Sequence, residues 1–269
     1  MVRRARLDAE LVRRGLARSR EHAAELIRDG RVTVRGRRAE KSATGIDADT
    51  PVLVAEPSDV PTYASRGGHK LAGALASLGP TGPAVLGRRC LDAGASTGGF
   101  TDVLLRAGAR EVVAVDVGYG QLVWSLQTDD RVHIHDRTNV RALTPDDIGG
   151  SVDLVVADLS FISLRLVLPA LASCLVPDGD LLPMVKPQFE VGRERLGSGG
   201  VVRDLALRAE AVLRIADAAQ ELGLGTAGVV TSPLPGPAGN VEFFLWLRAD
   251  APPAEHAEIG RIVRAGTGG

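Results

Sequence analysis

The sequence predicts a doubly wound α/β domain with a mostly parallel sheet, preceded by a small basic module. Two apolar runs, 112–115 and 154–157, lack the alternation of half-exposed strands and fit strands that are buried on both faces. From residue 65 onward strand-like and helical patterns alternate, which is typical of a parallel sheet covered by helices. The 269 residues suffice for one such domain and one small module.

Residues 65–250 are expected to form the main domain. Seven strands are expected, at 89–93, 111–116, 131–135, 152–157, 180–185, 226–231 and 241–248. Five helices are expected, near 67–78, 98–107, 119–127, 163–174 and 202–222. Residues 251–269 are rich in Ala, Pro and Gly and predict a weakly ordered C-terminal tail, in the form of a weak helix with a frayed end.

Residues 1–58 predict a separate, small α+β module. Its first apolar residues are spaced for two short amphipathic helices that break at Gly15, and Ser19 is placed to cap the second. Two prolines near its end favour an extended linker at 59–64. The pattern between helices and linker has period two, which predicts short strands at 32–34 and 52–54.

The composition is that of a soluble globular protein, with 45% hydrophobic and 24% charged residues. No apolar run approaches the roughly 20 residues that span a bilayer, and the charged N-terminus lacks a signal-peptide core. We therefore expect a cytoplasmic protein without membrane contact. Cys90 and Cys174 lie far apart in apolar sequence, which favours packed, reduced thiols over a disulfide and gives no support to a metal site.

Charge is unevenly distributed along the chain. Residues 1–45 hold thirteen Arg or Lys and six Asp or Glu, a net charge of +7, whereas the remainder holds 19 basic and 27 acidic residues, a net charge of −8. Such a basic block indicates a surface for phosphates, although solvated charge on a small domain is the alternative. The candidate phosphate contacts are Arg6, Arg13, Arg14, Arg18, Arg20 and Arg28.

A glycine-rich loop follows the first strand of the main domain, at the edge where α/β sheets bind ligands. The third position of the dinucleotide fingerprint G-x-G-x-x-G is Ser96, so a pyrophosphate site is poorly supported. The spacing instead suits a cofactor whose charged end is an amino acid; a turn selected for packing is the alternative. The candidate cofactor contacts are Asp92, Gly94, Ala95, Ser96, Thr97, Gly98, Gly99 and Phe100.

Two further carboxylates follow the next two strands. Asp116 lies 22 residues after Gly94 and is placed to accept hydrogen bonds from two ribose hydroxyls. Asp136 lies where an adenine base would fall, and its carboxylate can accept from the adenine amino group or cap a turn.

Only three lysines, Lys41, Lys70 and Lys186, accompany 29 arginines. Where arginine is used almost everywhere, a remaining lysine indicates a need for a compact or titratable ammonium. Lys186 directly follows the apolar run 181–185, and Asp158 follows 154–157. Both charges are therefore expected at the sheet edge that carries the glycine-rich loop.

Lys70, on the first helix of the main domain, and Glu242, at the start of the last strand, complete a set of four charges. Charged side chains in apolar sequence are costly unless they are paired. Two lysines and two carboxylates can form a purely structural ion network. Their convergence near a cofactor loop favours an active site instead.

These residues carry a family resemblance. The set Lys70, Asp158, Lys186 and Glu242 resembles the Lys-Asp-Lys-Glu set of FtsJ/RrmJ-like ribose 2′-O-methyltransferases. Residues 6 to about 248 resemble the TlyA family of ribosomal RNA methyltransferases, also labelled hemolysins, and the basic module resembles its S4 RNA-binding domain. Five blocks carry this resemblance: Ser65–Leu71, Asp92–Thr101, Asp158–Ser163, Lys186–Glu190 and Gly239–Glu242. Two departures are the linker tetrapeptide 61–64 and Gly68, where alanine is common.

The resemblance implies a Rossmann-like class I methyltransferase with a seven-stranded, mostly parallel sheet, preceded by a small α+β S4-like domain. It implies S-adenosylmethionine as the cofactor, with Asp158 among its contacts. It also implies methylation of a ribose 2′-hydroxyl, on cytidine, in ribosomal RNA of the small and large subunits. Arg66 and Phe161 are further candidate RNA contacts; Phe161 can stack on a base, pack against the cofactor or belong to the core.

A ribose hydroxyl is a poor nucleophile, so its oxygen must be held in line and its proton removed. Lys186 is the expected key residue, either as a neutral amine that takes the proton or as an ammonium that stabilises the alkoxide. Asp158 and Lys70 are expected to orient the amine and the hydroxyl, and Glu242 to hold a lysine. The weaker candidates for a general base are His69, His133 and His135.

Two functions of other classes stay open at this point. A membrane-lytic hemolysin lacks support because the sequence has no membrane-spanning run and only 3% aromatic residues. An RNA chaperone that binds the cofactor without turnover is disfavoured by the complete set of four charged residues.

Overall fold

The computed structural model describes residues 5–28, 30–47, 49–55, 63–236 and 238–266. The chain divides into two compact units, Met1–Thr62 and Tyr63–Gly269. Of the linker predicted at 59–64, the first four residues lie outside the described ranges. Its last two belong to the second unit, where the Ala64 N–H donates to Asp102 Oδ2 at 2.8 Å.

The first unit is the predicted small α+β module, with one apolar core. Gly15 takes a positive φ of 71° between the helices, and Ser19 Oγ accepts from the His22 N–H, as predicted for a cap. Leu7, Leu11 and Ala23 are buried in the core between the helices and the strands. The elements are β1 (Ala5–Arg6), α1 (Leu7–Arg13), α2 (Arg20–Arg28), β2 (Val32–Val34), β3 (Arg37–Arg38), β4 (Gly45–Ile46) and β5 (Val52–Val54).

The second unit contains a seven-stranded sheet of order β11-β12-β10-β9-β6-β7-β8, in which only β12 runs antiparallel to its neighbours. The predicted Rossmann-like sheet is confirmed. Its strands are β6 (Arg89–Ala93), β7 (Glu111–Val115), β8 (Val132–His135), β9 (Val152–Ala157), β10 (Leu175–Val185), β11 (Gly225–Thr231) and β12 (Phe243–Arg248).

Helices cover both faces of this sheet, so strand side chains enter two apolar layers. One layer receives α3, α4 and α5, and the other receives α6, α8 and α9. The short helix α7 follows β10 directly. The helices are α3 (Arg66–Leu78), α4 (Gly99–Arg106), α5 (Trp124–Gln127), α6 (Leu168–Ser173), α7 (Pro187–Glu190), α8 (Leu205–Glu221) and α9 (His256–Ala265).

Four predicted elements differ clearly from the structure. Helix α6 begins at Leu168, five residues late, because Leu164–Leu166 form a separate 3₁₀ helix. β10 begins at Leu175, five residues early, because a register shift lets Leu175 pair with Val152 ahead of the main ladder. Helix α5 is short because residues 118–123 form a loop. The C-terminal segment contains the predicted helix, α9, and this helix is packed and not weak, because its Ile259 and Val263 are buried in the core.

The two departures from the family pattern lie next to each other in the structure: Tyr63, from the tetrapeptide 61–64, packs against Gly68. A Cβ atom on Gly68 would lie 2.4 Å from Tyr63 Cβ and 3.0 Å from the Gly99 carbonyl oxygen. Tyr63 also packs edge to face on His69, with ring centroids 5.0 Å apart. The tyrosine therefore occupies the space that an alanine side chain at position 68 would need.

Candidate active site

The sheet brings the predicted site residues to one edge. In the parallel ladder Ala93 of β6 lies opposite Ala157 of β9, so both strands end at the same level. The Asp158 N–H donates to the Ala93 carbonyl at 3.0 Å and ties the start of the next loop to that edge. Lys186 follows the end of neighbouring β10. The convergence of Asp158, Lys186 and the glycine-rich loop is confirmed.

The glycine-rich loop needs its glycines for conformation and for close approach. Gly94 has a φ of +89°, and a Cβ there would lie 2.7 Å from the Asp158 carbonyl oxygen. Gly98 has a φ of +96°, and a Cβ there would lie 2.3 Å from Leu126 Cδ1. Ser96 takes a positive φ of 48° without being glycine. The loop therefore makes a tight turn that exposes backbone at the N-terminus of α4.

The two carboxylates predicted for the nucleoside hold the neighbouring loops. Asp116 Oδ2 accepts from the Ser96 N–H at 2.8 Å, and its Oδ1 accepts from the Gly118 N–H at 2.6 Å. Asp136 Oδ2 accepts from the Gly120 N–H at 2.8 Å. A carboxylate has about four acceptor sites, so both retain capacity for a hydroxyl or amino group.

A cavity of about 240 Å³ opens beside the glycine-rich loop, and we call it the cleft. Its backbone turn, helix N-terminus and neighbouring carboxylates fit a cofactor with an amino-acid end and a ribose. Of the predicted site residues, it is lined by Arg66, Lys70, Gly94, Ala95, Ser96, Thr97, Gly99, Phe100 and Asp158.

Asp92 was wrongly predicted to contact the cofactor directly. Its side chain is fully buried behind the cleft, where Oδ2 accepts from Thr101 Oγ1 at 2.7 Å. Its Oδ1 is buried without a hydrogen-bond partner among the described residues. Burial raises the pKa of the Asp92 carboxyl to about 7. Asp92 thus supports the junction between β6 and α4 from below.

The four charged residues form two ion pairs. Lys70 Nζ lies 2.5 Å from Glu242 Oε2, and Lys186 Nζ lies 2.5 Å from Asp158 Oδ1. Both lysines and Glu242 are buried, whereas the Asp158 side chain is 24% exposed. A buried charge without a counter-charge is costly, so each carboxylate stabilises an ammonium inside the protein. Asp158 and Lys70 line the cleft.

Ser160 is a site residue that sequence reasoning did not single out. Lys186 Nζ donates to Ser160 Oγ at 2.8 Å, so the ammonium has a second partner besides Asp158. Glu190 was also missed: its carboxylate accepts from Ser163 Oγ at 2.6 Å and from the Leu164 N–H at 2.8 Å. Burial raises the pKa of Glu190. The only available signal was that both residues lie in the recognised sequence blocks.

Phe161 lies between these contacts and is 91% exposed, so the core alternative is wrong. Its φ of +64° is rare for a bulky residue. The nearest ring is Phe189, at 5.2 Å between centroids. The two rings border a cavity of about 330 Å³ that Gln188 also lines.

The arginines of the first unit differ in their availability. Arg14 was wrongly placed among the phosphate contacts, because its guanidinium donates inward to Glu10 and to the carbonyl oxygens of Thr50 and Asp47. Arg13 also forms an ion pair with Glu10, but its side chain remains exposed at the surface.

Other arginines of the first unit keep more freedom. Arg6 and Arg20 share Asp8, a buried carboxylate, and their own side chains stay more than half exposed. Arg18 and Arg28 are exposed, and within the described part of the unit no side-chain partner contacts them. Arg66 of the second unit is exposed and donates to the Pro235 carbonyl at 3.4 Å.

The remaining candidates do not enter the cleft. His69 packs on Tyr63, and His133 lies on β8 with its Nε2 at 3.4 Å from Glu111. Cys90 and Cys174 are buried and free, and burial raises the pKa of Cys90 to about 12. Among the described residues no group of three His, Cys, Asp or Glu is arranged to hold a metal ion.

Residues 63–249 match the family model described as FtsJ-like methyltransferase, which covers the whole sheet and both ion pairs. The chain belongs to this family. Residues 5–50 match the S4 domain. Membership makes the chain an S-adenosylmethionine-dependent methyltransferase, in agreement with the fit of the cleft.

The similar proteins include relatives named as TlyA methyltransferases and relatives named as hemolysins. The 16S/23S rRNA (cytidine-2′-O)-methyltransferase TlyA of Mycobacterium tuberculosis is 62% identical over 92% of this chain and 91% of its own. Hemolysin A of Brachyspira hyodysenteriae is 34% identical over 88% of this chain and 97% of its own. A solved structure from Streptococcus thermophilus, which carries a hemolysin name, matches at a TM-score of 0.76 with 38% identity, covering 99% of this chain and 97% of its own.

The methyltransferase match favours the enzyme over a membrane-lytic protein. Within the described ranges, the structure contains no helix with the length and apolar character required to span a bilayer.

Asp92 generates a prediction for stability. The pKa of its carboxyl rises from 3.8 to about 7 on folding, so between these values the folded chain holds a proton that the unfolded chain has lost. The free energy of unfolding therefore falls as pH rises through this window. Asp92→Asn mimics the protonated form, and its stability relative to wild type should increase by about 3 kcal/mol from pH 5 to pH 8. Urea unfolding at each pH measures this difference; a constant difference across the range would contradict the prediction.

Proposed function

We propose that this methyltransferase acts on the 2′-hydroxyl of a cytidine ribose in ribosomal RNA of the small and large subunits. The observation that carries the proposal is the buried Lys186 ammonium beside Asp158, at the edge of a cleft that fits the cofactor. The relative named as a 16S/23S rRNA (cytidine-2′-O)-methyltransferase supports the choice of substrate. Such a substrate implies action in the cytoplasm.

The cofactor would be held by residues at known positions around the cleft. The turn at 94–99 would receive its amino-acid end, Asp116 its ribose hydroxyls and Asp136 its adenine amino group. When bound, S-adenosylmethionine supplies an electrophilic methyl group. The protein contributes the orientation of the hydroxyl and the handling of its proton.

Lys186 is best described as an ammonium group that Asp158 and Ser160 hold in position. It has three N–H donors. Ser160 accepts from one, and the Asp158 carboxylate lies at ion-pair distance as the counter-charge, so donor capacity remains for the substrate oxygen. A positive charge at this position stabilises the negative charge that develops on the ribose oxygen. Asp158, which also lines the cleft, can accept the hydroxyl proton; its carboxyl then becomes neutral, and the ammonium keeps Ser160 as its partner.

Lys70 and Glu242 complete the arrangement without needing to contact the proton. Glu242 is almost fully buried, and Gly236 packs so closely on it that a Cβ there would lie 2.6 Å from Oε1. This packing fixes the carboxylate, which in turn fixes Lys70 at the wall of the cleft. We assign Lys70 to orientation of the substrate hydroxyl.

Replacement of Lys186 tests the assignment. Lys186→Ala should lower kcat by about 10³-fold, because the ammonium acts in the transition state, while affinity for S-adenosylmethionine stays unchanged. Ser160→Ala removes one partner of the ammonium and should lower kcat by about tenfold. Methyl incorporation from labelled cofactor into ribosomal RNA gives kcat, and calorimetry gives cofactor affinity. Near-normal turnover of Lys186→Ala would refute the role.

Phe161 supplies a surface for the target nucleotide. Its ring is exposed, and Ser163 two residues later is held by Glu190, which fixes the loop that carries it. An exposed aromatic ring at the border of a cavity offers a face on which an unstacked base can stack. We therefore assign Phe161 to the base of the methylated nucleotide.

The stacking role has a graded test. Phe161→Ala should lower kcat/KM for ribosomal RNA by about 10- to 100-fold, whereas Phe161→Tyr should keep most of it, because stacking needs only an aromatic face. Leu86→Ala is the control, since Leu86 is also an exposed apolar residue, 80% exposed. Methyl-transfer rates under subsaturating RNA measure the effect; equal rates for Phe161→Ala and Leu86→Ala would exclude stacking.

The first unit would contribute affinity for structured RNA. Among the arginines predicted to contact phosphates, Arg18 and Arg28 are exposed and their guanidinium groups have no partner within the described residues, so they are the strongest candidates. Arg6, Arg13 and Arg20 keep exposed side chains and can add charge around them. Phosphate contacts give affinity and orientation with little sequence readout.

A double substitution tests this surface. Arg18→Gln with Arg28→Gln should weaken binding of ribosomal subunits and reduce the slope of log affinity against log salt by about 0.7 to 0.9 per residue. Cofactor affinity should not change. Arg110→Gln, which removes an exposed arginine at the opposite edge of the sheet from the cleft, is the control. An unchanged salt slope in the double variant would show that this face does not bind phosphates.

A further inference from the structure

A further cavity is separated from the cleft by the loop that precedes β12. Its volume is about 570 Å³, and Arg203, Arg208 and Ser232 are among its lining residues. Pro235 lines both this cavity and the cleft, so one loop separates the two. We call it the Arg208 cavity.

Arg208 is a buried arginine without an acidic partner. Its side chain is 7% exposed, and its Nε donates to the Val202 carbonyl at 2.8 Å. Within the described part of the chain, no other acceptor contacts its guanidinium, and no ion pair includes it. Burial lowers the pKa of Arg208, and no neighbouring charge counteracts that effect. A buried charge left without a counter-charge is costly, so its presence needs another explanation.

The surroundings hold this guanidinium in place. Asn240 Oδ1 accepts from the Val202 N–H at 2.9 Å, and its Nδ2 donates to the Gly200 carbonyl at 2.9 Å. The segment around Val202, whose carbonyl accepts the hydrogen bond from Arg208, is thereby fixed to the loop before β12. Ser232 Oγ donates to the Leu234 carbonyl at 2.8 Å and stabilises the opposite wall. A fixed guanidinium with unused N–H donors facing a cavity is suited to a phosphate oxygen pair.

We propose that Arg208 binds a backbone phosphate of the RNA substrate next to the methylated nucleotide. This inference rests on the proposed function. An RNA strand is favoured over a small free anion because the Arg208 cavity lies next to the cleft, as Pro235 lines both. The Pro235 carbonyl also accepts a hydrogen bond from Arg66, a candidate RNA contact. Exposed Arg203 adds positive charge at the rim. A strand whose ribose enters the cleft would reach the Arg208 cavity within a short backbone distance.

The first experiment detects the anion site without RNA. Inorganic phosphate, compared with chloride at equal ionic strength, should raise the Tm of the full-length protein. Arg208→Met should lose most of this increase, whereas Arg110→Met, which replaces an exposed arginine that does not line the cavity, should keep it. Without phosphate, Arg208→Met should unfold at or above the wild-type Tm, because the substitution removes an uncompensated buried charge. A strongly lowered Tm would assign Arg208 a structural role and overturn the proposal.

The second experiment tests RNA as the source of the phosphate. Binding of purified ribosomal subunits between 50 and 200 mM KCl should be about tenfold weaker for Arg208→Met than for Arg110→Met, with a salt slope smaller by about 0.7 to 0.9. Arg208→Lys, which keeps the charge without the planar fork, should recover part of the affinity. Cofactor affinity should not change in any variant.

The outcomes separate this proposal from the proposed function. Loss of the phosphate effect with unchanged binding of ribosomal subunits would mean that the cavity takes a small anion, and the RNA contact would be wrong. Wild-type protein that binds subunits with the predicted Arg208 dependence but does not methylate them would refute the proposed function and leave the Arg208 contact intact. An unchanged salt slope together with an unchanged phosphate effect would overturn the site altogether.

Discussion

The pairing of two buried lysines with two carboxylates is the constraint on which the site depends. Burying an ammonium without a counter-charge is costly, and here the partners come from distant parts of the chain: Lys70 with Glu242, and Lys186 with Asp158. The parallel sheet satisfies this requirement because the ends of β9 and β10 meet at one edge. The glycine-rich loop, the cleft and the exposed ring of Phe161 are all arranged around that edge.

The sheet also explains which parts of the structure could be predicted from the sequence. Apolar runs that end in a charge locate the carboxyl ends of buried strands, so Asp158 and Lys186 could be placed together before any coordinates were known. Glycines at 94 and 98 mark a turn because only glycine fits their positive φ and tight surroundings. Every strand of the main sheet was predicted within two residues, except the start of β10, where a register shift leaves no sequence signal.

Side-chain direction was the part that the sequence could not provide. Asp92 closes a strand next to the cofactor loop, yet its carboxyl points into the core toward Thr101. Arg14 lies on a basic helix, yet its guanidinium satisfies carbonyl oxygens more than thirty residues away. Arg208 lies in a helix with no unusual sequence pattern, and only the structure shows that its guanidinium lacks an acidic partner. Periodicity assigns faces to elements, whereas partners depend on packing between remote segments.

The backbone at Phe161 has a consequence for the energetics of RNA binding. A positive φ at a bulky residue costs free energy of order 1 to 3 kcal/mol and persists only when surrounding contacts enforce it. Here the Glu190 carboxylate, through Ser163 and Leu164, is such a contact. The loss of conformational freedom for this loop is therefore already incurred when the protein folds. An arriving nucleotide meets a ring that is already ordered, so more of its stacking energy remains available as affinity.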